Sequence, residues 1–434
     1  MITYHHMPDA QFADLASGLG GPEAVYRLAN AQHSKHLLLL RHLTDAWSAE
    51  PACQTAVDVL VEAERSDPHA LTELLSDPMV GAWAVRTTRQ LAADASAPAD
   101  LAQLGALAAV AAFLTRLDAE VVTHTRGAGV TLPTLGSAVL DLDAPATVTV
   151  SAGRATVSGG PHRVEVGAEG SRWHGLRRLV ARYGDLAGSL AVEDGNPYRD
   201  CYHAPPADRL TADEVARWQD LFTEAWELLV RYVPARAAEL AAGLRSLVPL
   251  VTDGDGVARS GTARDAFGTL GLTRPRSATE LAVTLVHEFQ HSKLSVLLDL
   301  APLYAPAGGE RHFAPWRTDA RPTAGLIQGV YAFLGVADTW RALRSAPELE
   351  ELATREFAVV RRQVAVGLHA LERSAELTPK GREFAAGLRK TLDGFLAVQV
   401  PMASTEAATE VLARREHAWR QHNPGLAGTT PTNR

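Results

Sequence analysis

Apolar residues along the chain recur at two periods, and the changes of period divide it into stretches. From residue 8 to about residue 118 they fall at helical spacing. Pro22-Glu23-Ala24 opens a long run, VYRLANAQHSKHLLLLRHLTDAW, and residues 52–63, 68–75 and 101–117 predict further helices, with ASAPAD at 95–100 as a linker. His33, His36 and His42 in the first of these helices are read as a solvated face. Between 120 and 173 the period drops to two. Short β-branched runs at 120–124, 130–132, 147–150, 154–157 and 162–166 are separated by Gly, Pro and Asp, and ATVTVSAGRATVSG predicts a hairpin about Ala152-Gly153. Helical spacing returns after Thr211 and Glu214, which stand at the capping-box interval, and places Trp218, Phe222 and Trp226 at four-residue steps as core residues. The helical texture continues through 235–247 up to Pro249. A loop, VTDGDGVARSG (251–261), and a short, partly β stretch at 266–273 follow.

The pattern then becomes almost wholly apolar. Ser277 and Glu280 repeat the S-x-x-E spacing, so a buried helix is expected from Ala278 to about Leu300. Into it the chain inserts His287-Glu288-Phe289-Gln290-His291. Histidines four apart share one helical face and can converge on one ion, with Glu288 beside them. Polar groups in such surroundings are costly without a partner, which favours a metal site over a chance match. An aperiodic stretch rich in Pro and Gly, 301–323, carries Glu310, His312, Trp316, Arg317, Asp319 and Arg321. A loop of that length beside a metal helix is generally functional. A second apolar helix, 325–340, holds Gln328 as its inward polar residue. Helices over 346–400 and 406–423 and a disordered tail over 424–434 complete the expected order.

Composition adds limits. The 434 residues, 46% of them hydrophobic, suffice for a large core and two or three subdomains. A net charge of -8 with scattered basic residues gives no sign of a nucleic-acid surface. Two cysteines, Cys53 and Cys201, make no C-x-x-C pair and fit a reducing compartment. No secretory n- and h-regions open the chain and no apolar run is read as long enough to cross a membrane, so a cytoplasmic protein without membrane partners is expected.

Two chemistries remain open for the histidine pair. With zinc, Glu288 would be the general base of a peptidase. The metzincin extension is excluded because Leu294 and Leu297 stand where a glycine and a third histidine belong. The helix 325–340 offers Gln328 where a glutamate ligand would be needed, leaving Glu310, His312 and Asp319 as loop alternatives. With iron(II), oxygen chemistry with a 2-oxo acid cosubstrate would need a cation for the distal carboxylate, for which Arg317 and Arg321 are suited by their bidentate guanidinium groups.

LVHEFQHSKLSVLLDLAPL followed by APWRTDARPTAGLIQGVYAFLGVADTW resembles the HExxH-type, 2-oxoglutarate-dependent peptide β-hydroxylases that act on ribosomally made peptides. The likeness extends to LANAQHSKHLLLLRHL, NPYRD, RLTADEVARWQDLFTEAWELL and RDAFGTLGLT. It implies an iron(II) dioxygenase with a precursor peptide as partner. It implies His287 and His291 as metal ligands, Gln328 at the third ligand position with His312 next, and Arg317 and Arg321 as anchors for 2-oxoglutarate. Glu288 would then orient a ligand, substrate or water. The runner-up is a zinc metallopeptidase acting on a precursor or leader peptide.

The expected fold is α+β and predominantly α-helical, a zincin-like HExxH helix core with a small antiparallel β-sheet. Its expected parts are an N-terminal helical region (1–118), a small β-sheet insert that could serve as a peptide platform or be purely structural (119–175), and a mainly helical metal-site domain (176–423).

Overall fold

The computed structural model describes residues 5–93, 98–168, 170, 172–200, 202, 204–252, 257–306 and 308–426. It is mostly helical with small sheets, as the periods require. Helices Gly21–Trp47, Pro51–Ser66, Pro68–Leu75 and Pro78–Ala92 occupy the first stretch. Asp67 caps the third of these by accepting from the amides of His69 and Ala70. Residues 95–97 of the expected linker and 427–434 of the expected tail lie outside the described residues, as does Cys201. Pro424–Leu426 forms one 3-10 turn.

The long helix Gly21–Trp47 joins two cores. Its first half (Ala24, Val25, Leu28) packs with the C-terminal helices, whereas Leu40 and Leu43 enter a second core with Trp83, Leu107 and the β-strands. Its histidines correct the solvated-face reading. His36 is buried with Nδ1 2.8 Å from the Leu75 carbonyl, and His33 Nδ1 lies 3.1 Å from Ser76 Oγ; only His42 is exposed. The C-terminal end of Pro68–Leu75 meets this polar face, a contact that a single amphipathic wheel does not reveal.

The β region holds an antiparallel four-stranded sheet of Ala119–His124, Pro145–Ser151, Arg154–Gly159 and His162–Glu165, and a three-stranded one of Gly129–Leu132, Gly136–Val139 and Trp173–Gly175. The hairpin turns at Ala152 and Gly153, both at positive φ (50° and 73°), with Ser151 paired to Arg154. That is the two-residue turn whose twist matches the flanking strands. Pro98–Thr115, over which no membrane-length run had been expected, is apolar and long enough to span a membrane by composition; it is mostly buried beneath this sheet region, with Leu107 and Val110 in the core.

A third sheet was not expected. Arg177–Tyr183 and Leu186–Val192 form a hairpin, continued by Ser246–Pro249, Thr269–Leu272 and the edge strand Ser260–Thr262. Ser246–Pro249 runs parallel to both its neighbours, and Ser260–Thr262 runs antiparallel to Thr269–Leu272. The helix read through 235–247 therefore ends at Gly243. All four residues of Ser246–Pro249 are buried, and a short apolar run covered on both faces has no alternation to set it apart from a helix end. Part of the loop read at 251–261 is the edge strand; its residues 253–256 lie outside the described ones.

Candidate metal and oxygen-chemistry site

The motif helix runs Ala278–Leu300. Ser277 Oγ accepts from the Glu280 amide at 3.1 Å, while the Glu280 carboxylate turns to the Arg276 amide at 3.0 Å, so the expected box is half formed. The box at Thr211 and Glu214 is complete. Behind the motif helix a buried ionic network fixes its position. Lys293 Nζ donates to both Glu239 carboxylate oxygens at 2.8 Å and to the Leu19 carbonyl at 2.9 Å. Arg236 donates to the Gly18 carbonyl and to Gln290 Oε1 and pairs with Asp338 at 3.2 Å. Burial pushes the Lys293 ammonium down to about 8, opposed by Glu239. A charge in such a place is tolerated only with partners of this kind.

On the open side His287 Nε2 and His291 Nε2 stand 3.2 Å apart, with the rings edge to face. Burial, then the neighbouring His291, pushes the His287 imidazole down to about 4, with Glu288 opposing. It is therefore neutral near pH 7, the form that ligates metals. Two bonds of about 2.1 Å to one ion, the usual length to an imidazole nitrogen, would subtend about 100° across that gap, so the pair fits a tetrahedral or octahedral ion.

Gln328 lies on the facing helix, Thr323–Leu343. Its Oε1 is 2.9 Å from His291 Nδ1 and its Nε2 is 3.3 Å from Ser295 Oγ. The side chain is thus behind His291, on the nitrogen turned away from His287. A ring N–H donated to Gln328 leaves the His291 Nε2 lone pair facing the gap.

Glu288 is 2% exposed, each of its oxygens accepts one hydroxyl hydrogen bond, and Oε1 lies 3.9 Å from His287 Nε2. Ser260 Oγ donates to Oε1 at 2.6 Å and Thr262 Oγ1 to Oε2 at 2.7 Å; Thr262 Oγ1 also lies 2.8 Å from the Glu288 carbonyl. The strand Ser260–Thr262 is in this way fastened to the motif helix by alternate hydroxyls on one of its faces. Neither residue was singled out from the sequence. Two hydroxyls at i and i+2 would have been the signal had 260–262 been read as a strand.

The loop residues divide. Trp316 stacks on Phe333 at 4.8 Å, and Phe333 meets the His287 ring edge to face at 5.0 Å. A Cβ at Gly329 would stand 2.5 Å from the Trp316 ring and one at Gly325 2.8 Å from the Arg321 guanidinium. Glycines one turn apart on the facing helix thus receive Trp316 and Arg321 in succession, the latter within a turn of Gln328. Arg321 Nε is buried with no partner among the described residues, and its Nη1 bonds Asp319 at 3.1 Å. Arg317 is over half exposed and also pairs with Asp319. Burial would raise the Asp319 carboxyl, but hydrogen bonds and charge from the two arginines hold it below the usual range. His312 and Glu310 face away from the pair: His312 Nε2 is 3.0 Å from Thr323 Oγ1, and Glu310 is held by Ser374 and the Ala375 amide. Among the described residues no third His, Cys, Asp or Glu clusters with the two histidines. No family model matches the chain, and no curated protein matches it.

Proposed function

We propose that this chain is an iron(II)- and 2-oxoglutarate-dependent oxygenase that hydroxylates a side-chain β-carbon in a ribosomally made peptide, on a zincin-like core. The observation that favours this over a zinc peptidase is the environment of Glu288. A peptidase base must turn a free carboxylate oxygen toward the metal-bound water. Here each oxygen accepts a short hydrogen bond from a hydroxyl of the edge strand. Such a carboxylate is suited to positioning the strand and the helix rather than to moving a proton. The antiparallel edge strand beside the motif helix is what supports the zincin-like description of the core.

His287 and His291 would hold the iron, and Gln328, bonded to His291 Nδ1, would fix the tautomer of that ring in place of the expected third-ligand role. Bound iron(II) supplies oxygen activation coupled to decarboxylation of the 2-oxo acid. The chain's own residues bind, orient and shield. Arg321, seated over Gly325 with Asp319 steadying one nitrogen, offers a guanidinium to a distal carboxylate. Phe333 and Trp316 wall the histidine pair with aromatic surface, limiting water where a reactive oxidant would otherwise be quenched. Ser260–Thr262 is the edge strand of its sheet, and its outer edge would pair with an extended peptide, carrying its side chains past the metal.

The test is anaerobic reconstitution with iron(II), followed by 2-oxoglutarate, oxygen and the candidate peptide, read by mass spectrometry. The expected result is a gain of one oxygen atom on the peptide with stoichiometric succinate. Backbone cleavage supported by zinc without 2-oxoglutarate would overturn the reading in favour of the peptidase.

A further inference from the structure

The helix Glu350–Glu372 and its C-cap present one face that the histidine site does not use. Arg362 and Arg373 are eleven residues apart, which places them about 20° apart around the axis and about 16 Å apart along it. Between them lie Ala365, Val366, His369 and Ala370, and this face floors a cleft of about 940 Å³ closed by the C-terminal helix Met402–His422 and by Glu310–Phe313.

Charge in the cleft is unbalanced. Among the described residues, Arg362 donates only to neutral groups, the Thr405 carbonyl and Thr409 Oγ1, Arg311 donates only to backbone carbonyls, and exposed Arg373 forms no ion pair. The two carboxylates that line it are engaged elsewhere, Glu310 with Ser374 and His312, and Glu416 with Arg420 at 2.5 Å. Trp419, 1% exposed and packed on Phe313 at 5.4 Å, lines the same cleft with its Nε1–H unpartnered among the described residues.

We infer that this cleft binds an acidic peptide segment, with carboxylates at its two ends and apolar side chains between them. The spacing argues for a peptide. About 16 Å is roughly five residues of extended chain at about 3.3 Å each, a span no small anion bridges and no single-headed amphiphile completes. Small apolar residues on the floor leave room for side chains, and the Trp419 N–H suits a peptide carbonyl. The wall of the cleft is continuous with the site described above, because His312 and Arg321 exchange both backbone hydrogen bonds, at 2.8 and 3.0 Å. A segment held here would lie at the root of the loop that carries Arg321. That link to turnover rests on the oxygenase reading, whereas the binding itself does not.

The experiment uses the full chain without added metal and reads fluorescence anisotropy of a fluorescein-labelled hexapeptide with aspartate at both ends and leucine, valine and two alanines between. Saturable binding that weakens as salt is raised is expected. Arg362→Glu together with Arg373→Glu should weaken it at least tenfold, and Arg373→Glu alone, at an exposed position that folding does not need, should weaken it less. Arg355→Glu, on the same helix but outside the cleft, should leave it unchanged. The inference is overturned if the peptide does not bind, if the same peptide with lysine ends binds as well, if the double variant binds as the parent does, or if decanoate displaces the peptide completely. Because no iron, oxygen or 2-oxoglutarate is present, this result stands or falls apart from the hydroxylation assay.

Discussion

Gln328 Oε1 sits 2.9 Å from His291 Nδ1, joining the motif helix to the helix that faces it by a bond from the far side of the imidazole. On the proposed reading, an outer partner of this kind would tune the metal site without ligating the ion. Gln328→Leu should retain the fold and lower iron(II) affinity by roughly 10- to 100-fold, measured by competition with a chelating dye. His291→Ala should abolish measurable binding. Equal loss in the two variants would make Gln328 a ligand in its own right.

The hydroxyls of Ser260 and Thr262 give Glu288 a second testable property. Thr262→Val keeps the shape of the side chain but removes the hydroxyl that donates to the Glu288 carboxylate. Hydrogen bonds to charged groups contribute about 1.5–3 kcal/mol, so urea denaturation should show a loss of that order. Glu288→Gln keeps an acceptor for one hydroxyl. It should slow hydroxylation by less than the roughly 10²–10⁴-fold expected when a general base is removed; a larger fall in single-turnover rate would restore the base role.

Much of this site was legible because its signals are local. Helical spacing puts His287 and His291 on one face, and Gln328 stands out as the inward polar residue of the apolar helix that follows. What was not legible depends on chain segments meeting across long separations. Ser260 reaches Glu288 across 28 residues, and Gln328 reaches His291 across 37. The central sheet was missed for a related reason. Arg177–Tyr183 and Leu186–Val192 alternate plainly, but Ser246–Pro249 is buried on both faces, so the element that draws the hairpin into a mixed sheet carries no period of its own. His36 shows the opposite failure, a polar residue on a regular helix that proved to be inside because a carbonyl from a later helix meets it.

Lys293 belongs to the motif helix but serves its rear. Its ammonium is fully buried against Glu239 and the Leu19 carbonyl. Lys293→Met leaves Glu239 with Arg236 and the Gly21 amide but without its closest cation. Removing one member of a buried pair costs about 3–5 kcal/mol, so the variant should melt well below the parent in calorimetry. If it is as stable as the parent, the network contributes specificity of packing and little net stability.

Glu193 gives a pH dependence unrelated to the metal. Burial, then the neighbouring Asp77 and Asp194, pushes its carboxyl up to about 8, with Arg178 and Arg199 opposing. In the unfolded chain it titrates near 4.3. The folded form therefore holds a proton that the unfolded form has lost over this interval, so its contribution is fully present below about pH 4 and declines as pH rises through about 8. Glu193→Gln should remove that decline and leave the variant more stable than the parent at pH 8 by at least about 1.4 kcal/mol, the equivalent of one pH unit. Denaturation midpoints at pH 5 and pH 8 check this: a parent whose stability rises over that range would contradict it.

The two arginines of PWRTDARP are separable by what surrounds them. Both pair with Asp319, but Arg317 is over half exposed, whereas Arg321 lies over Gly325 with its Nε buried and unpartnered among the described residues. A guanidinium held in place loses less freedom when it receives a carboxylate, so on the proposed reading Arg321 would be the better anchor for 2-oxoglutarate. Loss of one charge-assisted, bidentate contact, about 1.5–3 kcal/mol, corresponds to a rise in KM for 2-oxoglutarate of roughly 10- to 150-fold. Arg321→Gln should show that rise with iron affinity unchanged and with kcat restored in large part at saturating cosubstrate. Arg317→Gln should shift KM by less than about threefold, as expected for an exposed ion pair. Steady-state kinetics against 2-oxoglutarate, with iron binding measured in parallel, separate the two; an unchanged KM in Arg321→Gln would remove the anchor from this loop.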